Sequence, residues 1–275
     1  MFPFLSIIPY TRFVESTGHR LLAEERRQKI QELLEQNGRI TIEEIATKFK
    51  VSAVTARADL DTLADRGGAL RSHGGAVRQL NPVVDYPLRF KEAIHHAEKV
   101  RIGHAATEMI KPHQTIILDS GTTTAQIARQ IKAARIHPLT VITNALNIAY
   151  ELAETEGVSM IMIGGILRHA SSSFVGPQAE RMLQDLHADH LFLAVDGLHP
   201  DVGFSTPDIL EAQLNNVMIR VSTEVTVVAD ASKFGRRSLS LIGKVECAQR
   251  IITDSRIQAD AAGAFRAKGL ELIVV

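Results

Sequence analysis

The run RRQKIQELLEQNGRITIEEIATKFKVSAVTARADLDTLADRGGALRSHGGAVR, residues 26–78, places three short helical patterns and a glycine-marked hairpin side by side. In the first pattern Ile30, Leu33 and Leu34 share one face, and Asn37-Gly38 supplies a stop. Thr41 and Glu44 have capping-box spacing, which predicts a second helix from Ile42 to Phe49. Ser52 is placed to cap a third, from Ala53 to about Ala64, with Val54, Leu60 and Leu63 expected to turn inward. Only Lys50 and Val51 separate the second helix from the cap of the third. That is the tight turn of a helix-turn-helix, which offers its second helix to the major groove of DNA.

The exposed face at the start of the third helix is expected to carry Ser52, Ala53, Thr55, Ala56 and Arg57. Small residues let a helix approach base edges, hydroxyls bond phosphates or bases, and an Arg fork reads guanine. Beyond Gly67, the segments 69–72 and 76–78 flank His73-Gly74-Gly75, a hairpin tip suited to positive φ and close approach to phosphate. Ser52, Thr55, Arg57, Arg71, His73, Gly74 and Gly75 are therefore the candidate DNA contacts. From Leu21 to Leu80 there are ten Lys or Arg and nine Asp or Glu. So small a basic excess predicts weak non-specific binding per head, and a homo-oligomer that reads repeated half-sites.

The 275 residues suffice for such a head and one larger domain. The expected division is an unstructured extension, or an over-long start, at 1–20, the winged head at 21–80 and a second domain at 81–275. One cysteine, Cys247, excludes an internal disulfide and a cysteine-cluster metal site, and its neighbours read as a buried β segment. No apolar run approaches the length that spans a bilayer, and the apolar first 19 residues are broken by Pro3 and Pro9. A cytoplasmic protein, without a metal or cofactor, is the expectation.

After a linker with Pro82 and Pro87 the pattern alternates. Helical stretches at 91–110, 123–132, 145–154, 177–186, 207–221 and 260–268 are interleaved with strands at 115–118, 139–143, 158–163, 190–195, 225–229, 250–253 and 270–275. This implies a mostly parallel sheet covered on both faces, with ligands bound beyond the carboxyl ends of its strands. Five successive strands end in small or polar residues: Asp119-Ser120-Gly121-Thr122-Thr123-Thr124, then Thr143-Asn144, Gly164-Gly165 followed by Arg168, Asp196-Gly197, and Asp230 to Lys233. The first of these opens a helix, and free amides beside hydroxyls there make a phosphate cradle. Together the strand ends suggest a site for a polyhydroxylated anion.

The head resembles the N-terminal domain of DeoR-type bacterial transcriptional regulators in Arg26, Ile30 and Leu34, in the run Ser52 to Leu60, and in Leu70 to Ala76. It departs from that pattern at Ala56, Ala58 and Gly68-Ala69. Residues 85–275 resemble the effector domain of the same family at 119–124, Thr143-Asn144, Gly164-Gly165, 174–176, Asp196-Gly197, 203–206, Glu211-Ala212 and 230–234. The resemblance implies an α/β protein: a small winged helix-turn-helix, then a mostly parallel sensor domain of ribose-5-phosphate-isomerase-like type. It implies operator DNA and a phosphorylated sugar as partners. Thr122, Thr123 and Thr124 would hold phosphate, Asn144, Asp196 and Glu211 would bond sugar hydroxyls, and Lys233 would meet the anion or a carbonyl oxygen. Asp119, Gly121, Gly165 and Arg168 complete the candidate effector set. The runs SSSFVGPQAE and GFSTPDILEAQLN look most like repressors of N-acetylgalactosamine or galactosamine catabolism. The alternative is an active sugar-phosphate isomerase with Glu211 as base and Lys233 as electrostatic stabiliser. The attached DNA head and the run GFSTP, which lacks the Lys of the enzyme-like pattern, argue against it.

Overall fold

The computed structural model describes residues 21–72, 74–77 and 85–275. The expectations for residues 1–20, for His73 and Arg78, and for the linker through residue 84 lie outside the described residues. Two compact units divide between Ala76 and Val77.

In the first unit, α1 (Ala23–Asn37) ends at Gly38, whose left-handed φ of 76° turns its amide onto the Leu34 carbonyl. A short strand, β1 (Arg39–Thr41), leads into α2 (Ile42–Phe49). The Thr41 hydroxyl accepts from the Glu44 amide at 3.1 Å, and the Glu44 carboxylate accepts from the Thr41 amide at 2.7 Å, closing the predicted capping box. α3 (Ala53–Asp65) is capped by Ser52, whose Oγ accepts from the Thr55 amide at 3.1 Å. The wing strands β2 (Leu70–Ser72) and β3 (Gly75–Val77) join β1 in a sheet of order β1-β3-β2.

The core of this unit is Ile30, Leu34, Ile40, Ile45, Ala56, Leu60, Leu63, Ala69 and Ala76. Two expectations for α3 are corrected. Val54 is 72% exposed, and Ala56 is fully buried. The inward stripe runs Ala56, Asp59, Leu60, Leu63, and Val54 lies roughly 200° round the helix from Ala56. Buried within that stripe, Asp59 accepts from Arg26 Nε at 2.5 Å and Nη2 at 3.2 Å, and from Arg27 Nε at 3.1 Å.

The second unit begins with α4 (Leu88–Ala93) and α5 (His96–Thr107). The single helix expected over 91–110 is broken at Ile94, which is extended, and His95, which is left-handed. The buried Lys99 ammonium holds the break, because it donates to the carbonyls of Lys91 (2.5 Å) and Ile94 (2.7 Å) at the C-terminal end of α4, where the helix leaves carbonyls without intrahelical partners.

There follow β4 (Thr115–Leu118), α6 (Thr122–Ala134), β5 (Leu139–Thr143), α7 (Leu146–Leu152) and β6 (Val158–Met162). A hairpin of β7 (Ile166–Arg168) and β8 (Ser173–Val175) leads to α8 (Pro177–Gln184) and β9 (Ala188–Ala194). Next come β10 (Gly197–His199), β11 (Gly203–Thr206), α9 (Ile209–Arg220), β12 (Ser222–Val228), β13 (Ser240–Gly243), β14 (Arg250–Thr253), α10 (Ala259–Ala267) and β15 (Glu271–Val274). The β7–β8 hairpin and the small antiparallel sheet β10-β11-β13 were not expected from the sequence pattern. Cys247 lies in a 3-10 turn, Val245–Cys247, and not in a strand, and it is half-buried.

The main sheet has the order β15-β14-β12-β9-β4-β5-β6, and its paired neighbours are all parallel. Strand residues alternate between two cores. Ile117, Leu191, Leu193, Val225 and Val227 pack with Leu183 of α8, Leu214 of α9 and Phe265 of α10. Ile116, Leu118, Val141, Phe192 and Val228 pack with Ile102 of α5, Ile127 of α6 and Ile148 of α7. Helices thus cover both faces, as a parallel sheet requires. The chain winds outward from β4 through β5 and β6, then returns to β9 on the other side of β4 and winds the opposite way. The reversal between β4 and β9 is where such sheets bind ligands.

Candidate DNA interface and effector site

At the start of α3, Ser52 and Arg57 are exposed and Thr55 is half-buried, its hydroxyl 2.9 Å from Ser52 Oγ. Among the described residues Arg57 enters no ion pair, so its guanidinium is available to a base edge. Arg71 is differently placed. Its Nε lies 2.9 Å from Asp61 Oδ1, and its Nη1 donates to the Gly75 carbonyl at 2.8 Å, which braces the wing against α3. A phosphate contact by Arg71 requires it to share those partners. Gly74 is exposed with φ 83°, and nothing lies within 4 Å of where a Cβ would stand. Gly75 is needed for packing, because a Cβ there would lie 2.2 Å from the Ile40 carbonyl oxygen of β1.

In the sensor unit, the five polar strand ends belong to the five adjacent strands β12, β9, β4, β5 and β6. Asp119 follows β4 and is fully buried. Its Oδ1 accepts from the Ser120 amide at 2.5 Å and its Oδ2 from the Ala194 amide at 3.2 Å, so it fastens the β4–α6 loop to β9. Burial and the nearby Glu211 push its carboxyl well above the usual range. A Cβ on Gly121 would meet Ala194 Cβ at 2.6 Å, so glycine permits this close approach. Thr124 Oγ1 donates to the Gly121 carbonyl at 3.1 Å, which commits that hydroxyl to its own helix. Thr122 and Thr123 carry the remaining hydroxyls beside the first-turn amides, at the positive end of the helix dipole.

Asn144 follows β5. Its Nδ2 donates to the Phe174 carbonyl of β8 at 2.9 Å, while its buried Oδ1 has no hydrogen-bond partner among the described residues. An orphaned acceptor of this kind suits a hydroxyl donor. Gly165 serves packing, since a Cβ there would lie 2.6 Å from the Val175 carbonyl oxygen. The β7–β8 hairpin carries Arg168 to the rim. Its Nη1 lies 3.0 Å from Glu211 Oε2 and its Nε 3.2 Å from Asp208 Oδ2, while Nη2 pairs with Asp85.

Asp196, just past β9, is held between two ammonium groups, Lys233 Nζ at 3.0 Å and Lys91 Nζ at 3.1 Å. Burial alone would raise its pKa, but Lys233 and Lys91 outweigh burial and hold the carboxyl well below the usual range. Glu211 lies in the first turn of α9, and its Oε1 accepts from Thr206 Oγ1 at 3.1 Å. Burial pushes its carboxyl up to about 7 against the pull of Arg168 and Lys91, with Asp196 adding to the rise. Burial likewise lowers the Lys99 ammonium to about 8, although Asp230 opposes the shift.

The structure thus joins Arg168, Asp196, Glu211 and Lys233 in one network of contacts, and adds Asp85, Lys91 and Asp208, which sequence reasoning missed. Asp208 had a signal, since it stands three residues before Glu211 at a helix start, and its Oδ1 does accept from the Glu211 amide at 2.8 Å. Asp85 and Lys91 had none, because only the tertiary fold brings them to the rim. Among the described residues there is no cluster of His, Cys, Asp and Glu able to hold a metal, and no helix long and apolar enough to cross a membrane.

Residues 26–80 match the family model described as a DeoR-like helix-turn-helix domain, and residues 94–255 match that of the DeoR C terminal sensor domain. The chain is 41% identical over 253 residues to a putative aga operon transcriptional repressor of Escherichia coli O157:H7, covering 91% of this chain and 93% of that protein. It is 31% identical over 231 residues to the glycerol-3-phosphate regulon repressor of Escherichia coli K12, covering 84% and 90%. Among solved structures, ribose 5-phosphate isomerase A of Methanocaldococcus jannaschii aligns with 51% of the chain and 55% of its own at 14% identity, with a TM-score of 0.38. A DNA-reading head joined to this sensor, and relatives that are named as repressors, decide between the regulator and the isomerase: the chain belongs to the DeoR family of DNA-binding transcriptional regulators.

Proposed function

We propose that this regulator is a repressor of a carbohydrate operon, of the amino-sugar kind, and that a phosphorylated sugar releases it from DNA. The observation that carries the reading is the rim at the reversal point of the sheet. There the N-terminus of α6, the Asn144 Oδ1 that has no partner among the described residues, and Asp196 stand at the ends of neighbouring strands, with Lys91 and Lys233 paired to Asp196. Thr122, Thr123 and the α6 amides suit phosphate, and Asn144, Asp196 and Glu211 suit hydroxyls. The similarity to the glycerol-3-phosphate regulon repressor, named for a small phosphorylated polyol, agrees with an effector of that kind. Release requires that the effector bind the DNA-free and DNA-bound states unequally. In a thermal-shift screen, phosphorylated hexosamines or their ketose counterparts are expected to stabilise the protein. Equal stabilisation by the free sugars, or aldose–ketose interconversion by the purified chain, contradicts the proposal.

On the DNA side, Ser52, Thr55 and Arg57 are proposed to meet the major groove, and Gly74-Gly75, with Arg71 and His73, the backbone. Arg57→Ala is expected to cost about 1–3 kcal/mol of specific binding. A mobility-shift titration with unchanged affinity removes Arg57 from that role. One recognition helix with little net charge binds too weakly to select a site alone, so a homo-oligomer is proposed. Sedimentation that shows only monomer at micromolar concentration, with DNA bound one to one, opposes it.

A further inference from the structure

The charged network at the rim holds more carboxylates than cations. Asp85, Asp196, Asp208 and Glu211 are connected through Lys91, Arg168 and Lys233. Each of the three cations is already paired, so a phosphate dianion that enters this network meets net repulsion unless negative charge leaves it. Protonation of Glu211, whose carboxyl burial pushes up to about 7, removes one charge. A second relief needs a carboxylate that can move.

Three of the four are fastened. Glu211 lies within α9, and Asp208 caps that helix through the Glu211 amide. Asp196 sits between two lysines, and its own amide donates to the Ser205 carbonyl at 3.0 Å. Asp85, like Asp196 and Asp208, belongs to no helix or strand, but among the described residues it neither caps a helix nor makes a backbone hydrogen bond of the kind that holds those two. Its carboxylate bridges two cations, with Oδ1 3.4 Å from Lys91 Nζ and Oδ2 on the Arg168 guanidinium. A carboxylate and a phosphate make the same kind of charge-assisted contact with such a pair.

We propose that Lys91 and Arg168 share with the α6 N-terminus the binding of the effector's anionic group, and that Asp85 is the internal carboxylate this group displaces from the two cations. The proposal rests on the reading of the rim as the site of a phosphorylated sugar. Asp85 then sets effector affinity by competing for the same cations.

The test is calorimetric titration of the full-length protein with galactosamine 6-phosphate and, separately, with inorganic phosphate. Asp85→Asn is expected to bind both probes at least about fivefold more tightly than the parent, and Lys91→Gln about tenfold or more weakly, as loss of one charge-assisted contact predicts. Equal or weaker binding by a folded Asp85→Asn protein overturns the displacement. If that variant does not fold, Lys91→Gln decides, and unchanged affinity for both probes overturns the assignment. Tighter inorganic phosphate binding by Asp85→Asn, with no phosphorylated sugar bound by either protein, upholds the competition and removes the sugar reading. Binding of neither probe by any of the proteins overturns the proposal.

Discussion

Asp59→Ala is expected to melt the DNA-reading head well below the temperature at which the sensor unfolds. Asp59 is 2% exposed and accepts three hydrogen bonds from Arg26 and Arg27, and Arg26 is itself only 7% exposed. Removing the carboxylate leaves a buried guanidinium without its partner, which costs about 3–5 kcal/mol. A head of this size has a stability of the same order, and each kcal/mol moves its midpoint by roughly 4–8 °C. Asp59 stands two residues after Arg57 on α3, so operator binding is lost together with the fold. The double change Arg26→Met with Asp59→Leu removes both charges and is expected to recover most of the stability, because apolar replacement of a buried pair is often neutral. Circular dichroism melts of the three proteins check this. An unchanged head transition in Asp59→Ala shows that the ion pair does not hold α3 to α1.

Lys233→Met is expected to remove the effector response while leaving operator binding in place. Lys233 donates to Asp196 at 3.0 Å, and Lys91 remains to pair with that carboxylate when Lys233 is gone. The sensor therefore keeps its fold, and the lost charge-assisted contact, about 1.5–3 kcal/mol, weakens effector binding roughly 10- to 150-fold. Calorimetry with the phosphorylated sugar and an operator titration of the same preparation separate the two effects. A variant that responds to the effector like the parent excludes Lys233 as a ligand.

Local signals carried most of the fold. Thr41 with Glu44, Ser52, and Gly38 mark the ends of the head helices through contacts of a few residues' span, and the structure shows each of those contacts. Val54 and Ala56 were misplaced for a tertiary reason. The inward stripe of α3 is set by Asp59, whose burial depends on Arg26 more than thirty residues away, and a buried Asp reads as exposed in a hydrophobic pattern. In the sensor, strands of uniform apolar residues and the polar groups at their ends were legible because a parallel sheet buries both faces. The break between α4 and α5 was not legible, because it depends on where one lysine ammonium points. Asp85 and Lys91 were invisible for the same reason. Their roles come from Asp196 and Arg168, residues brought to them by the return of the chain to β9 and by the β7–β8 hairpin. The hairpin itself, only three residues per strand, is too short to show a period.

Operator release tests the account most directly. The full-length protein is bound to a labelled DNA fragment from upstream of its own operon, and fluorescence anisotropy is followed as galactosamine 6-phosphate, its ketose counterpart or the unphosphorylated sugars are added. A phosphorylated sugar is expected to return the anisotropy to that of free DNA, the same sugars without phosphate are not expected to do so at equal concentration, and Lys233→Met is expected to stay bound throughout. Release by free sugars to the same extent, or the same release from Lys233→Met, would contradict it.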